Sequence, residues 1–149
     1  MNFISEITAH LENKPGRLAK ICRSLAHEKV NILALSVMEC DGRSALRMVV
    51  DEVPEARRIL GSIGVEHTLS EVLVVEMENR PGALARVLER LAEEHINIEY
   101  AYTSQGAGMG KSLGVFQTSN PKRARQILVD AHAAGNGDAH NTRRPLHTR

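Results

Sequence analysis

Glu12-Asn13-Lys14-Pro15-Gly16-Arg17-Leu18-Ala19 returns as Glu78-Asn79-Arg80-Pro81-Gly82-Ala83-Leu84-Ala85, every residue number rising by 66. The match continues downstream: Leu25-Ala26 returns as Leu91-Ala92, Glu28 as Glu94, and Asn31-Ile32 as Asn97-Ile98. Further on, Leu46 aligns with Leu113 and Pro54 with Pro121, so the second copy has gained one residue in a glycine-rich turn. A period of this length is too long for a solenoid repeat and suits a small domain duplicated in tandem.

Working outward from the repeated turn, Ile7, Ala9 and Leu11 alternate as on a strand, as do Leu73, Val75 and Met77. After the turn the period changes. Leu18, Ile21, Cys22 and Leu25 form a helical stripe that Leu84, Val87, Leu88 and Leu91 repeat, which predicts two amphipathic helices of about four turns. Residues 31–40 and 97–104 read as second strands, and 45–51 and 112–118 as third strands; Asp41-Gly42 suits a hairpin turn. Pro54 and Pro121 suit helix starts. Ala56, Ile59, Leu60 and Ile63 form a second short apolar face, mirrored by Ala124, Ile127, Leu128 and Ala131. A further strand starts near Val65, after Gly64. The order predicts helices on one face of a mainly antiparallel sheet. Units of this size bury only ~60% of their chain surface and are marginal alone, so the halves should pack on each other, on a second chain, or both.

The turn itself has two readings. Pro15 and Pro81 set φ where the helix begins, and Gly16 and Gly82 remove the Cβ so that another group can approach the backbone. First-turn N–H groups at the positive end of the helix dipole can hold a carboxylate. Asn13 and Asn79 suit turns or caps, and their amide oxygens can accept from an ammonium group. Purely local turn chemistry explains the same residues, just as left-handed backbone at the helix end explains Asn31 and Asn97. Recurrence of turn, stripe and Asn-Ile at one spacing in both halves favours the ligand-binding reading.

Asn-x-Pro-Gly-x-Leu-Ala, the helical stripe and the following Asn-Ile resemble the ACT domain, and the chain as a whole, over about residues 3–131, resembles small stand-alone tandem ACT proteins. The resemblance implies an α+β fold of two tandem βαββαβ ferredoxin-like units, with mainly antiparallel sheets and helices on one face. The first unit is expected at 1–69 and the second at 70–134, and the composition of 135–149 predicts a disordered tail. The resemblance also implies a non-enzymatic regulatory protein that binds a small effector, most often an amino acid, where the strand-to-helix loop of one unit faces the second strand of its neighbour. By motif match the implied ligand-binding positions are Asn13, Lys14, Pro15, Gly16, Arg17 and Leu18 with Asn31 and Ile32, and Asn79, Arg80, Pro81, Gly82, Ala83 and Leu84 with Asn97 and Ile98. Arg17 has no basic counterpart at Ala83, so the two sites need not be equivalent. A homodimer, a regulated protein partner, and the alternative of an oligomerisation module without a ligand complete the expectations.

Composition excludes other classes. The 149 residues carry 19 basic and 18 acidic side chains, a net charge of +1, too little field to draw the chain onto nucleic acid or an anionic membrane. Two Phe, two Tyr and no Trp leave few stacking platforms for bases or sugars. The longest apolar runs, such as Val72–Val75, fall far short of the ~20 residues that span a bilayer. The N-terminus lacks the basic-then-apolar order of a signal peptide, and a cytoplasmic location is expected. Cys22 and Cys40 form no CxxC and read as reduced thiols. Residues 106–112, GAGMGKS, miss the phosphate-loop pattern because Gln105 stands where glycine is required and a strand follows; they read as a flexible hairpin. No catalytic arrangement stands out, Asp51-Glu52 reads as a solvated strand end, and no cofactor or metal is expected. The second half shows no β-branched run after its last helix, so its fourth strand is missing or unrecognisable, leaving a sheet edge exposed or covered by another segment or chain. The histidines and arginines of the tail read as solvated.

Overall fold

A computed structural model describes residues 2–105 and 110–135. The chain runs β1 (Asn2–Glu12), α1 (Arg17–His27), β2 (Ile32–Cys40), β3 (Arg43–Val50), α2 (Val53–Ser62), β4 (His67–Glu78), α3 (Ala83–Glu93), β5 (Ile98–Gln105), β6 (Lys111–Thr118) and α4 (Pro121–Gly135). The tail expected to be disordered lies outside the described residues from 136 onward, and so does 106–109 of the glycine-rich turn.

Both stripe helices have 11 residues, about three turns instead of the four expected. Each is stopped by the same device. Val30 N–H reaches Leu25 C=O and Lys29 N–H reaches Ala26 C=O, with Lys29 at φ 61°; Ile96, Leu91, His95 and Ala92 repeat the pattern with His95 at φ 57°. This paired closure satisfies two of the last carbonyls of each helix. The left-handed residues are therefore Lys29 and His95, not Asn31 and Asn97 as expected, because the closure fixes its left-handed position by distance from the last turn. Asn31 instead bonds through its backbone: its N–H donates to the Asp51 carboxylate at 2.9 Å and its C=O accepts from Asp51 N–H at 3.1 Å. Asn97 is tied in the same way to Ser119. Asp51, read as merely solvated, joins the start of β2 to the end of β3. The Asp41-Gly42 turn has φ of 52° and 75°, positive at both central residues as a two-residue hairpin needs.

All six strands form one antiparallel sheet in the order β2-β3-β1-β4-β6-β5. β4 serves both halves: residues 67–74 pair with β1 and residues 73–78 with β6. The strand expected after Gly64 and the strand carrying Leu73, Val75 and Met77 are thus one continuous element, which runs through the expected unit boundary at 69/70. Ser5 lies opposite Glu71, its own equivalent under the 66-residue repeat, so the β1–β4 pairing is centred on a local two-fold axis. One consequence resolves the missing strand. In the second half β1 occupies the position beside β4 that β4 occupies beside β1 in the first, so the expected bare edge is covered by another segment of the same chain.

The register also refines the repeat. Ala9 pairs with Leu46, and its equivalent Val75 pairs with Gly114. Leu46 therefore corresponds to Gly114, not to Leu113 as the sequence alignment suggested. Leu46 is fully buried under the helices, whereas Leu113 packs on the opposite face of the sheet. The missing side chain at Gly114 is replaced by Phe116: a Cβ there would sit 2.5 Å from the Phe116 ring.

One face of the sheet carries all the helix packing. Ile7, Ala9, Leu11 and Leu46 meet Ile21, Leu25, Ile59 and Leu60 of α1 and α2, and Leu73, Val75 and Phe116 meet Leu91, Ala124 and Leu128 of α3 and α4. Phe3 of the first half packs against this second core. On the other face, Ala34, Val49, Val72, Val74 and Val115 are buried without any helix. The sheet covers them itself by curling, and its outermost strands β2 and β5 approach within 8 Å between Cα atoms.

Candidate ligand-binding site

At the first repeated turn, Arg17 N–H donates to Lys14 C=O at 3.3 Å around Pro15 and Gly16, with Gly16 at φ 85°. Ala83 N–H and Arg80 C=O close the second turn at 3.2 Å, with Gly82 at φ 81°. Pro followed by a left-handed Gly is the geometry of a type II turn. The turn uses one of the first-turn donors expected to be free. A Cβ at Gly16 would meet nothing within 4 Å; backbone conformation requires this glycine, and the space beside it is open.

The four helix starts differ in how their positive ends are treated. Asn120 Oδ1 accepts from Arg123 N–H at 3.1 Å and caps α4. α2 carries Glu55 in its first turn. α1 and α3 have neither a side-chain cap nor an acidic residue in the first turn. Their dipoles and the first-turn N–H groups that the turns do not use are left to whatever approaches from outside.

Charged side chains border both turns. Glu12 accepts Lys14 Nζ at 2.8 Å and Arg17 at 3.2 Å, and these cations, Lys14 foremost, hold its carboxyl below the usual range. In the second turn Arg80 pairs with Glu78, the repeat-equivalent of Glu12. Asn13, Lys14, Pro15, Gly16 and Arg17 are exposed and Leu18 is half-buried; Asn79 to Gly82 and Leu84 are exposed, while Ala83 is buried. Asn31 and Asn97 are exposed and Ile32 and Ile98 half-buried, the latter two lying against the helix-side cores.

Strand directions decide which of these groups share an end of the sheet. β1 ends, and β5 begins, at one end; β4 ends, and β2 begins, at the other. Asn13–Leu18 thus sits at the same end as Asn97 and Ile98 of the other half, and Asn79–Leu84 at the same end as Asn31 and Ile32. The structure does not bring the turn and the Asn-Ile pair of one half together. Between β1 and β5 lie three strand steps along a sheet that curls.

A polar cluster on the concave face went unread in the sequence. Glu6 is fully buried, and its carboxylate accepts from Tyr102 at 2.6 Å, from Tyr100, and from Ser70 at 3.5 Å. Burial and the neighbouring carboxylate raise both phenols above their ordinary range, Tyr102 by far the more, so both stay protonated and donate. The Arg47 guanidinium lies 4.2 Å from the Tyr100 ring centre. Two tyrosines spaced i, i+2 on one strand, in a chain with only four aromatics, were the available signal. Their partner lay 94 and 96 positions away.

Lys111, from the glycine-rich segment, begins β6 and pairs with Glu76. Among the described residues no group of three His, Cys, Asp or Glu side chains is placed to hold a metal ion, and no helix is long and apolar enough to cross a membrane.

Comparison with known proteins agrees with this architecture. No curated protein matches the sequence. Among solved structures, protein BT0572 from Bacteroides thetaiotaomicron is similar at 29% identity and a TM-score of 0.81, over 87% of this chain and 89% of that one. The ligand-free regulatory subunit of aspartate kinase from Thermus thermophilus shares the fold at 17% identity and a TM-score of 0.63, over 88% and 97% of the two chains. That of Thermus flavus does so at 20% identity and a TM-score of 0.61, over 91% and 94%. The model of the ACT domain pair matches residues 2–135, nearly the whole chain, and the protein belongs to the ACT domain pair family.

Proposed function

We propose that this protein is a non-enzymatic, cytoplasmic regulatory sensor that binds a small effector, an amino acid, at the interfaces between ACT units 1–69 and 70–134. The observation that carries this reading is the pair of helix starts at Arg17 and Ala83, the two of four with neither a cap nor an acid. A zwitterion would place its carboxylate on the leading N–H groups of α1 or α3 and its ammonium on Asn13 or Asn79 and nearby carbonyls. Asn97-Ile98 or Asn31-Ile32 at the same end of the sheet would form the opposing wall. Completion of each site by a second copy would give a homodimer whose packing reports the effector to a protein partner.

Thermal melts against the twenty amino acids test the reading. A ligand at 100 times its dissociation constant should add about 2.7 kcal/mol, and Asn13→Ala with Asn79→Ala should reduce that gain. Uniformly flat melts would refute it. A second reading, an assembly module without a small ligand, is favoured by one feature: Leu35, Val37 and Met38 on the outer strand β2 are 38%, 44% and 57% exposed, an apolar surface that a second copy could cover. Flat melts combined with a concentration-dependent mass would select it.

A further inference from the structure

The local two-fold axis relates two halves of the concave face that are filled differently. In one half Tyr100 and Tyr102 reach Glu6, beside Arg47. The repeat-equivalents of the two tyrosines are Ala34 and Ser36, that of Glu6 is Val72, and by the sheet register that of Arg47 is Val115. Two rings and two charges are thus replaced by small or apolar side chains, and a recess of about 190 Å³ lies in this half. Its walls include Ile4, Ala34, Val49, Val74, Leu113 and Val115. Glu76 is the sole charged residue of its lining and is more than half exposed, which places it at the mouth, where it pairs with the equally exposed Lys111.

We propose that this recess is a second ligand site, separate from the helix starts, which takes the branched aliphatic or single-ring side chain of a hydrophobic α-amino acid. The volume fits: an apolar cavity of about 150 Å³ takes up benzene. At the mouth, the Glu76–Lys111 pair offers one charge of each sign to the ammonium and carboxylate of a zwitterion. The recess lies across the sheet from the helices, so the site does not depend on the turns at Gly16 and Gly82.

Leucine, phenylalanine and benzene, titrated into the full chain while methyl NMR signals are followed, test the proposal. All three should move the Val74, Val115 and Leu113 methyls, and Asn13→Ala with Asn79→Ala should leave those shifts intact. Ala34→Tyr, which places in the recess the ring its counterpart carries, should abolish them. Should Ala34→Tyr fail to fold, Lys111→Glu decides: it should weaken leucine several-fold and leave benzene unchanged. Static methyls, shifts that survive Ala34→Tyr, or equal effects of Lys111→Glu on leucine and benzene would overturn the proposal. Shifts confined to residues 13–18 and 79–84 would overturn it while supporting the turn sites, and a concentration-dependent mass with static methyls would assign this face to a second copy.

Discussion

Glu6 is the residue whose surroundings are most costly to disturb. A buried carboxylate is tolerated only when its lone pairs are satisfied, and here two phenols and a serine hydroxyl do so. Tyr102→Phe removes one donor without changing the ring, and should cost about 1–3 kcal/mol in denaturant melts. The tyrosines also set a pH dependence. Their pKa values are raised on folding, so the unfolded phenols, titrating near pH 10, release protons before the folded ones. Stability should be fully present below that pH and fall as pH rises above it, and Tyr102→Phe should flatten the fall in melts taken between pH 9 and 11. Gly114 presents the opposite problem, since the space over it is already occupied by Phe116. Gly114→Ala should cost about 1–3 kcal/mol through overpacking, and Phe116→Leu in the same chain should recover part of the loss.

At the scale of elements, β1 and β4 each belong to both halves. Phe3 stands in the first repeat yet packs against the core of α3 and α4, and residues 2–5 pair with residues 71–74. Phe3→Ala should cost about 3 kcal/mol, at the low end for such truncations because the ring is only partly buried. The loss should appear as faster amide exchange in α3 and α4, elements of the other half. Exchange confined to the first half would contradict the shared-strand architecture. The helices themselves were easier to read than the strand partners. The stripe of Leu18, Ile21 and Leu25 is local, whereas the pairing of residues 67–74 with β1 depends on a two-fold relation that no window of sequence displays.

For the whole molecule, the shared strands make one cooperative unit out of two repeats. Urea unfolding followed by circular dichroism and by tyrosine fluorescence should give a single coincident transition. The fragment 70–135, deprived of β1 and of Phe3, should fail to fold alone at micromolar concentration and recover structure when fragment 1–69 is added. Independent folding of 70–135 would mean that β1 contributes little to the second half. The curl of the sheet belongs to this scale too, because it buries the face opposite the helices and brings Tyr100 and Tyr102 to Glu6.

Sequence alone determined the duplication, the alternation of strand and helix and the Pro-Gly turns before α1 and α3, since each rests on neighbours within a dozen residues or on a direct repeat. Tertiary structure decided that β4 is one strand serving two units, that β1 covers the edge of the second, that Leu46 answers to Gly114, and that a polar cluster and an apolar recess face each other across a local axis. These follow from contacts between residues some 30 to 95 positions apart. Hydrophobic period reports which side of a strand is buried, but not which strand lies beside it.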